Sequence, residues 1–205
     1  MTKNELYFKG LARMEAFCTQ NDIPLPRVTS MAPEHRYYGV GSCAFYRKYM
    51  GIHIAVPRCA APIGIGRAWS WPGYVIDRTP YGVLQHELGH HVDELFSTRP
   101  LKIKADLFSY RIYLKSLEPP LTKYLGTDQQ AQTFYLEWFA EHFRLFVTNP
   151  DLSLSIAPKF YAELRERLDP QRTTIWEDRL RETGAPDRII EQARKKILQV
   201  HKQAL

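Results

Sequence analysis

The chain has 205 residues, a length that suits one domain or one domain with an added helical lobe. Hydrophobic residues make up 44% of it and charged residues 24%, proportions that are typical of a globular protein. The net charge of +6 is modest and dispersed along the sequence, so it gives no argument for nucleic-acid binding.

The cysteines and the amino-terminal residues indicate the cellular location to expect. Three cysteines, an odd number without close spacing, indicate neither a disulfide framework nor a cysteine-based zinc site. The amino-terminal residues do not resemble a signal peptide, and no run of about 18 apolar residues is present to span a membrane. We therefore expect a reducing, cytoplasmic location and no membrane partner.

The first part of the chain predicts a helix followed by a small mixed sheet. Residues 4–20 carry the broad apolar side of an amphipathic helix. Short β-prone runs separated by glycines then predict strands at residues 27–31, 37–40, 43–46 and 52–56. In the last run, apolar residues alternate with His53 and Ala55. His53 is interpreted as a solvated or hydrogen-bonded side chain and not as a metal ligand.

A loop and one more strand are predicted next. Residues 57–73 are rich in proline and glycine and also carry Trp69 and Trp71. These aromatic side chains could line a substrate cleft or cap the core, and the sequence leaves both alternatives open. Residues 74–77 are typical of a short strand. If this strand lies at the edge of the sheet, its backbone groups would pair with an extended peptide. The candidate substrate-binding residues are therefore Tyr74, Val75 and Ile76.

The most informative stretch is His-Glu-Leu-Gly-His-His at residues 86–91. Residues 79–96 are predicted to form one helix. Thr79 at the N-cap followed by Pro80 in the first turn is a typical helix start. On this helix His86 and His90 lie one turn apart on the same face, so both imidazoles can hold one metal ion. Glu87 lies about 100° further round, where it can act as a base toward a metal-activated water.

The same helix carries an apolar stripe on another side, formed by Leu84, Leu88, Val92 and Leu95. The helix is therefore predicted to pack by this stripe and to present its paired histidines elsewhere. His91 falls near the stripe and is interpreted as a packing residue. The alternative interpretation is a surface helix whose histidines are incidental.

A third helix is predicted at residues 103–117, and a fourth at residues 129–147. The fourth is apolar around most of its circumference, which is typical of a buried helix. It nevertheless carries Glu137 and Glu141 one turn apart, and a buried carboxylate needs a partner. That partner is either a metal ion or, for Glu141, the guanidinium of Arg144 three residues on, in which case Glu137 would face solvent.

A catalytic zinc site usually takes three protein ligands and leaves the fourth position to water. The sequence offers two histidines and one glutamate for such a set: His86, His90 and Glu137. Glu141 or Asp93 would then accept a hydrogen bond from a ligating histidine and fix its ring. His142 lies on another side of its helix and is not predicted to be a ligand.

The two helices together resemble the glutamate-zincin (gluzincin) peptidases. The stretch beginning at Glu137 reads Glu-Trp-Phe-Ala-Glu-His-Phe-Arg-Leu, similar to the Glu-x-Phe-Ala-Glu-x-Phe-Arg-Leu of the anthrax lethal factor-type catalytic domain. The resemblance covers residues 79–147. It implies a zincin-like α+β fold, one Zn²⁺, Glu137 as third ligand and Glu141 as its outer partner. Gluzincins that act on phage repressors share part of this second motif and are a competing subfamily.

The resemblance also implies an activity, zinc-dependent hydrolysis of internal peptide bonds, with Glu87 as general base. The lethal factor-type enzymes use a tyrosine about two turns before the third ligand to stabilise the oxyanion. Here residues 128–131 contain no tyrosine, and the nearest upstream candidate is Tyr124. The expected partner is a protein or peptide substrate.

Residues 1–150 are predicted to form the catalytic core and residues 151–205 a helical extension packed on it. The basic helix at residues 188–202 either covers the core or docks onto a larger assembly or an acidic partner. The sequence leaves open a second class of function, a non-catalytic structural or binding protein on a zincin scaffold, for example a phage or secretion-assembly component. Glu87 favours the enzyme, because a structural zinc needs no adjacent base.

Overall fold

A computed structural model describes residues 1–33, 42–61, 77–97, 107–116, 134–148 and 150–170, together with Arg188 and Glu191. These residues form a mostly helical α+β structure with a three-stranded sheet, which confirms the α+β part of the predicted fold class. The helices are α1 (Lys3–Gln20), α2 (Pro80–Phe96), α3 (Leu107–Ser116), α4 (Phe134–Thr148), α5 (Pro150–Ile156) and α6 (Pro158–Arg165). The strands are β1 (Val28–Ser30), β2 (Ala44–Arg47) and β3 (Gly51–Ile54), and a 3-10 turn follows at Val56–Arg58.

Several predicted elements lie outside the described residues. They are the strand at 37–40, most of the loop at 57–73, residues 74–76 of the next strand, the connector that holds Tyr124, and the helix at 188–202 apart from Arg188 and Glu191. Asp77, the last residue of the predicted strand, is described and is not part of a strand.

The sheet has β3 at its centre. β1 pairs with β3 in parallel, with Val28 opposite Ile52, and β2 pairs with β3 antiparallel, with Ala44 opposite Ile54. Gly51 starts β3 with a φ of 81°, and a Cβ there would lie 2.2 Å from the carbonyl oxygen of Arg27. Only glycine allows both that conformation and that approach, so Gly51 lets the hairpin turn back beside β1.

Helix α1 packs against one side of α2. Its start is fixed by a capping box in which the Thr2 hydroxyl accepts from the Glu5 amide and the Glu5 carboxylate accepts from the Thr2 amide. Further along, the carbonyl oxygen of Gly10 accepts a 2.8 Å hydrogen bond from the Gln85 side chain of α2. The buried Gln85 amide thereby holds α1 and α2 together.

Helix α2 crosses α4 at very short range. A Cβ added to Gly89 would lie 2.9 Å from the Cα of Ala140. Small residues at the crossing thus bring the two backbones close together, and the side chains beside the crossing can meet. Of the predicted apolar stripe, three residues are fully buried, but Leu95 is 45% exposed because the last turn of α2 reaches the surface.

Helix α4 is the centre of the aromatic core, as its all-round apolar sequence predicted. Four of its aromatic residues have no exposed surface: Trp138, Phe139, Phe143 and Phe146. Phe160 of α6 packs edge-on against Trp138, with ring centroids 5.3 Å apart. On the opposite side, Arg13 of α1 donates to the carbonyl oxygens of Val147 and Pro170. Residues 150–170 are therefore packed on the core.

The described helices also bear on membrane insertion. None of those in the ranges given above combines the length and the apolar character needed to cross a lipid bilayer.

Gly89→Ala tests the helix crossing. In an exposed helix this change would stabilise the protein by about 0.5–1 kcal/mol. Here the new methyl group meets the Ala140 backbone, and overpacking of this kind costs about 1–3 kcal/mol. We expect the free energy of unfolding, measured by urea denaturation, to fall by that amount. Lys9→Ala on the exposed side of α1 is the control and should change it by less than about 0.5 kcal/mol. A gain in stability for Gly89→Ala would contradict the close crossing.

Candidate metal centre

The predicted ligands meet where α2 crosses α4. His86 and His90 come from α2 and Glu137 from the first turn of α4. The Nε2 atom of His86 lies 3.2 Å from Glu137 Oε2, and the Nε2 atom of His90 lies 3.5 Å from Glu137 Oε1. One possible ligand atom from each residue lies within 4.8 Å of the other two. These three side chains form a group that can hold a metal ion.

The spacing of these atoms fits zinc. Zinc binds histidine nitrogen and carboxylate oxygen at about 2.0–2.2 Å in tetrahedral sites, so two ligand atoms lie about 3.3 Å apart. The two nitrogen-to-oxygen distances, 3.2 and 3.5 Å, run to the two different oxygens of Glu137, so both imidazoles face the same carboxylate at about the separation that one shared ion needs. The donor set of two imidazoles and one carboxylate also suits zinc, although other first-row divalent ions accept it too.

Glu141 supports this group from one turn further along α4. Its Oε1 atom lies 3.0 Å from the Nδ1 atom of His86, and its Oε2 atom accepts from the guanidinium of Arg144. Arg144 also donates to the carbonyl oxygen of Asp77 at 3.1 Å. The predicted pairing of Glu141 with Arg144 is thus confirmed, whereas Glu137 turns toward the histidines and not toward solvent. The side chain of Glu137 is only 24% exposed.

Burial and neighbouring charges set the protonation of this group when no metal is bound. Burial alone would lower the pKa of His86, but hydrogen bonds with Glu137 and Glu141 outweigh it and raise that pKa to about 10. Burial likewise opposes ionisation of Glu137, yet its bond from His86 lowers its pKa to about 2. Burial lowers the pKa of His90 to about 4. A proton on His86 therefore occupies the position that a metal ion would take.

Glu87 lies beside the group and is only 6% exposed. Burial raises the pKa of its carboxyl to about 7, and a hydrogen bond with the backbone of Tyr46 acts in the opposite direction. Tyr46 belongs to β2, so the sheet holds the carboxylate of α2 in place. A carboxyl group with a pKa near neutrality can both accept and donate a proton at physiological pH.

A cleft of about 930 Å³ opens onto these side chains. Its floor includes His86, His90 and Glu137, and β2 with the residues just before it forms one wall. Lys48 and Glu94, which also line the cleft, form a salt bridge with 2.6 Å between the charged atoms. The candidate site is therefore accessible from outside and bordered by a strand.

The start of α2 is held by an interaction that the sequence did not predict. Thr79 is the N-cap residue as expected, but its side chain does not cap the helix. Instead its hydroxyl and its amide both donate to the carboxylate of Asp77, at 2.5 and 2.8 Å. Because the carbonyl oxygen of Asp77 accepts from Arg144, this turn links the start of the histidine helix to α4.

The other histidines take packing positions. His91 Nε2 lies 2.8 Å from the carbonyl oxygen of Pro24, and its ring packs against Tyr46, as predicted for a packing residue. His53 is buried and stacks on Phe45, so the solvated alternative for it is wrong. His142 is buried beside Trp138 and is not among the residues that line the cleft.

The remaining predicted site residues have a mixed outcome. Asp93 is buried and lines the cleft, and its Oδ1 atom accepts from the amide of Ser109 at 2.8 Å, near the start of α3. Its predicted role toward a ligating histidine stays a prediction. The predicted oxyanion and substrate-binding residues lie outside the described residues: Tyr124, Trp71, Tyr74, Val75 and Ile76.

Sequence reasoning missed two contributors to the site. Tyr46 contacts Glu87 through its backbone, which no side-chain motif can indicate. Asp77 was assigned to a strand, although an Asp two residues before the N-cap Thr is a turn signal that was present in the sequence.

Zinc titration tests the metal centre. We expect the metal-free protein to bind one zinc ion per chain and His86→Ala to weaken binding by more than about 100-fold, measured by competition with a chromophoric chelator. Glu141→Ala removes only the partner of a ligand, and such changes cost roughly 10–100-fold in affinity. His91→Ala changes a histidine of the same hexapeptide that faces Pro24, and it should bind zinc as tightly as the unchanged protein. Equal losses for His86→Ala and His91→Ala would contradict the assignment.

The raised pKa of His86 predicts how the stability of the metal-free protein depends on pH. The pKa of an unfolded histidine is about 6.5. Between that pH and about 10, the folded state binds the proton of His86 more tightly, so the contribution of His86 to stability is full below pH 6.5 and is lost as pH rises toward 10. We expect thermal unfolding to show this decline in chelator-treated protein, and His86→Gln to show a smaller one. Equal declines in both proteins would contradict the shift.

Comparisons of the chain with protein-family models, with curated proteins and with solved structures give no match. The case for a metal centre therefore comes from the geometry of the described residues.

Proposed function

We propose that the protein is a zinc-dependent endopeptidase of the glutamate-zincin type. The observation that carries this proposal is the meeting of His86, His90 and Glu137 beside the buried carboxyl of Glu87 in an open cleft. The resemblance of residues 79–147 to the lethal factor-type catalytic domain supports the same reaction class.

His86, His90 and Glu137 would hold the zinc ion. When bound there, zinc lowers the pKa of a water molecule and polarises the carbonyl group of the scissile peptide bond. Glu141 accepts the Nδ1 proton of His86, which fixes the ring with Nε2 toward Glu137. Arg144 in turn holds the other oxygen of Glu141. The chain from Arg144 through Glu141 to His86 therefore positions one ligand.

Glu87 is the general base and then the general acid. Its carboxylate takes a proton from the attacking water and delivers it to the nitrogen of the leaving amine. Burial of this carboxyl favours its uptake of the proton, and the bond with the backbone of Tyr46 orients it. Tyr124 is the proposed donor to the oxygen that gains negative charge, on the basis of the family resemblance alone.

An extended peptide would bind along the cleft wall formed by β2. Among the described strands, β2 lies at the edge of the sheet, with β3 as its only partner. The bond between Tyr46 and Glu87 places this edge next to the proposed base. We therefore propose β2, in addition to residues 74–76, as a substrate-binding strand.

The second function class, a structural or binding protein with a non-catalytic metal, fits this site less well. Structural zinc sites are usually closed by four protein ligands, whereas catalytic sites keep one position open. Among the residues that the structure describes, the candidate group offers three ligands, and the cleft gives access to it. A buried acid beside the ligands has no use in a structural site.

Glu87→Gln separates the two classes. Glutamine keeps the size of the side chain but cannot take up a proton, so we expect zinc affinity to be retained. Cleavage of a fluorogenic peptide library should fall by at least roughly 100-fold, the usual contribution of a general base. Glu15→Gln, on the exposed side of α1, is the matched control and should leave cleavage unchanged. A zinc-loaded protein that cleaves no peptide would support the structural class, and full activity of Glu87→Gln would remove its role as base.

A further inference from the structure

Two of the three cysteines meet in the wall of the cleft. The amide of Ala55 donates to the carbonyl oxygen of Cys43 at 2.8 Å, which extends the β2–β3 ladder by one step. The 3-10 turn then carries the chain back, so that the sulfur of Cys59 lies 3.7 Å from the carbonyl oxygen of Ala55. Cys59 therefore lies close to Ala55, the residue that is opposite Cys43 in the ladder. Both side chains line the same cleft, and the two thiols lie close enough for each to change the pKa of the other.

The surroundings make the two sulfurs unequal. The hydrogen bond from Cys59 lowers the pKa of the Cys43 thiol, and the positive charge of Arg78 acts in the same direction. The same hydrogen bond, together with burial, raises the pKa of Cys59. Cys43 is also the more accessible of the two, and both line the cleft. Cys18 differs, because it is buried in the core and burial raises its pKa to about 12.

We propose that Cys43 and Cys59 are a modification site, a dithiol that hydrogen peroxide converts into an intramolecular disulfide. The Cys43 thiolate attacks one peroxide oxygen, the O–O bond breaks, and the departing hydroxide takes up a proton to become water. The Cys59 sulfur then attacks the sulfenic acid of Cys43. An S–S bond forms, the S–O bond breaks, and the proton of Cys59 leaves with the hydroxide as a second water.

Both sulfurs are oxidised and the peroxide is reduced, so the change is reversed by a thiol reductant. The disulfide would cross-link two parts of the cleft wall. Cys43 directly precedes β2, while the amide of Ala60, next to Cys59, donates to the carbonyl oxygen of Arg78 just before α2. The cross-link therefore ties β2 to the segment that leads into the histidine helix. This inference is independent of the proposed peptidase activity.

The test uses the reduced, folded, full-length protein and hydrogen peroxide as the probe. We expect a loss of two of the three thiols in a colorimetric count and full recovery after reduction with dithiothreitol. Trypsin places the three cysteines on three different peptides, because it cleaves after Arg13, Arg27, Arg36, Arg47, Arg58 and Arg67. Mass spectrometry of the unreduced digest should therefore find the Cys43 peptide joined to the Cys59 peptide.

Three variants provide the controls. Cys18→Ala should form the same cross-link, whereas Cys43→Ala and Cys59→Ala should form no intramolecular one, with circular dichroism to verify that each variant is folded. The unchanged protein decides the question even if one variant does not fold. Three thiols that persist through the peroxide treatment would overturn the proposal, as would separate sulfinic or sulfonic acids on Cys43 and Cys59 or a cross-link that includes Cys18.

Discussion

The contact between the backbones of α2 and α4 at Gly89 and Ala140 is the constraint on which the site depends. Two helices with larger side chains at their crossing pack about 8–10 Å apart. Because Gly89 has no Cβ, the backbones of α2 and α4 come closer together here. His86, one turn before Gly89, therefore reaches the carboxylates of both Glu137 and Glu141. The same glycine is part of the histidine motif itself. The sequence that supplies the ligands thus also supplies the close approach.

This arrangement gathers charge inside an aromatic core, where unpaired charge is costly. The imidazole of His86 lies between Glu137 and Glu141, and Arg144 compensates the second carboxylate. In the metal-free protein the proton of His86 maintains this balance, and a divalent ion could replace it. The large aromatic side chains of α4, which are fully buried, supply the packing that keeps such a polar group in place.

The sheet contributes through its edge. β2 reaches Glu87 through the backbone of Tyr46, forms a wall of the cleft, and continues the ladder that positions Cys43. Glu87 is therefore bound to a segment about 40 residues earlier in the chain, and the amide of Ala60 donates to the carbonyl oxygen of Arg78 just before α2. Hydrogen bonds therefore link the wall of the cleft to its floor.

The sequence by itself determined helices α1, α2 and α4 and the pairing of candidate ligand residues on them, because the period of the helix places His86 next to His90 and Glu137 next to Glu141 whatever surrounds them. It also indicated that α4 is buried, since its apolar residues occupy almost the whole circumference. Tertiary structure alone decided that Glu141 serves His86 and Arg144 together, that the Thr79 hydroxyl turns to Asp77, and that Asp93 reaches the amide of Ser109. It alone brought Tyr46 to Glu87 and Cys59 to Cys43. These contacts depend on how separate elements cross and pair, and no local period in a sequence contains that information.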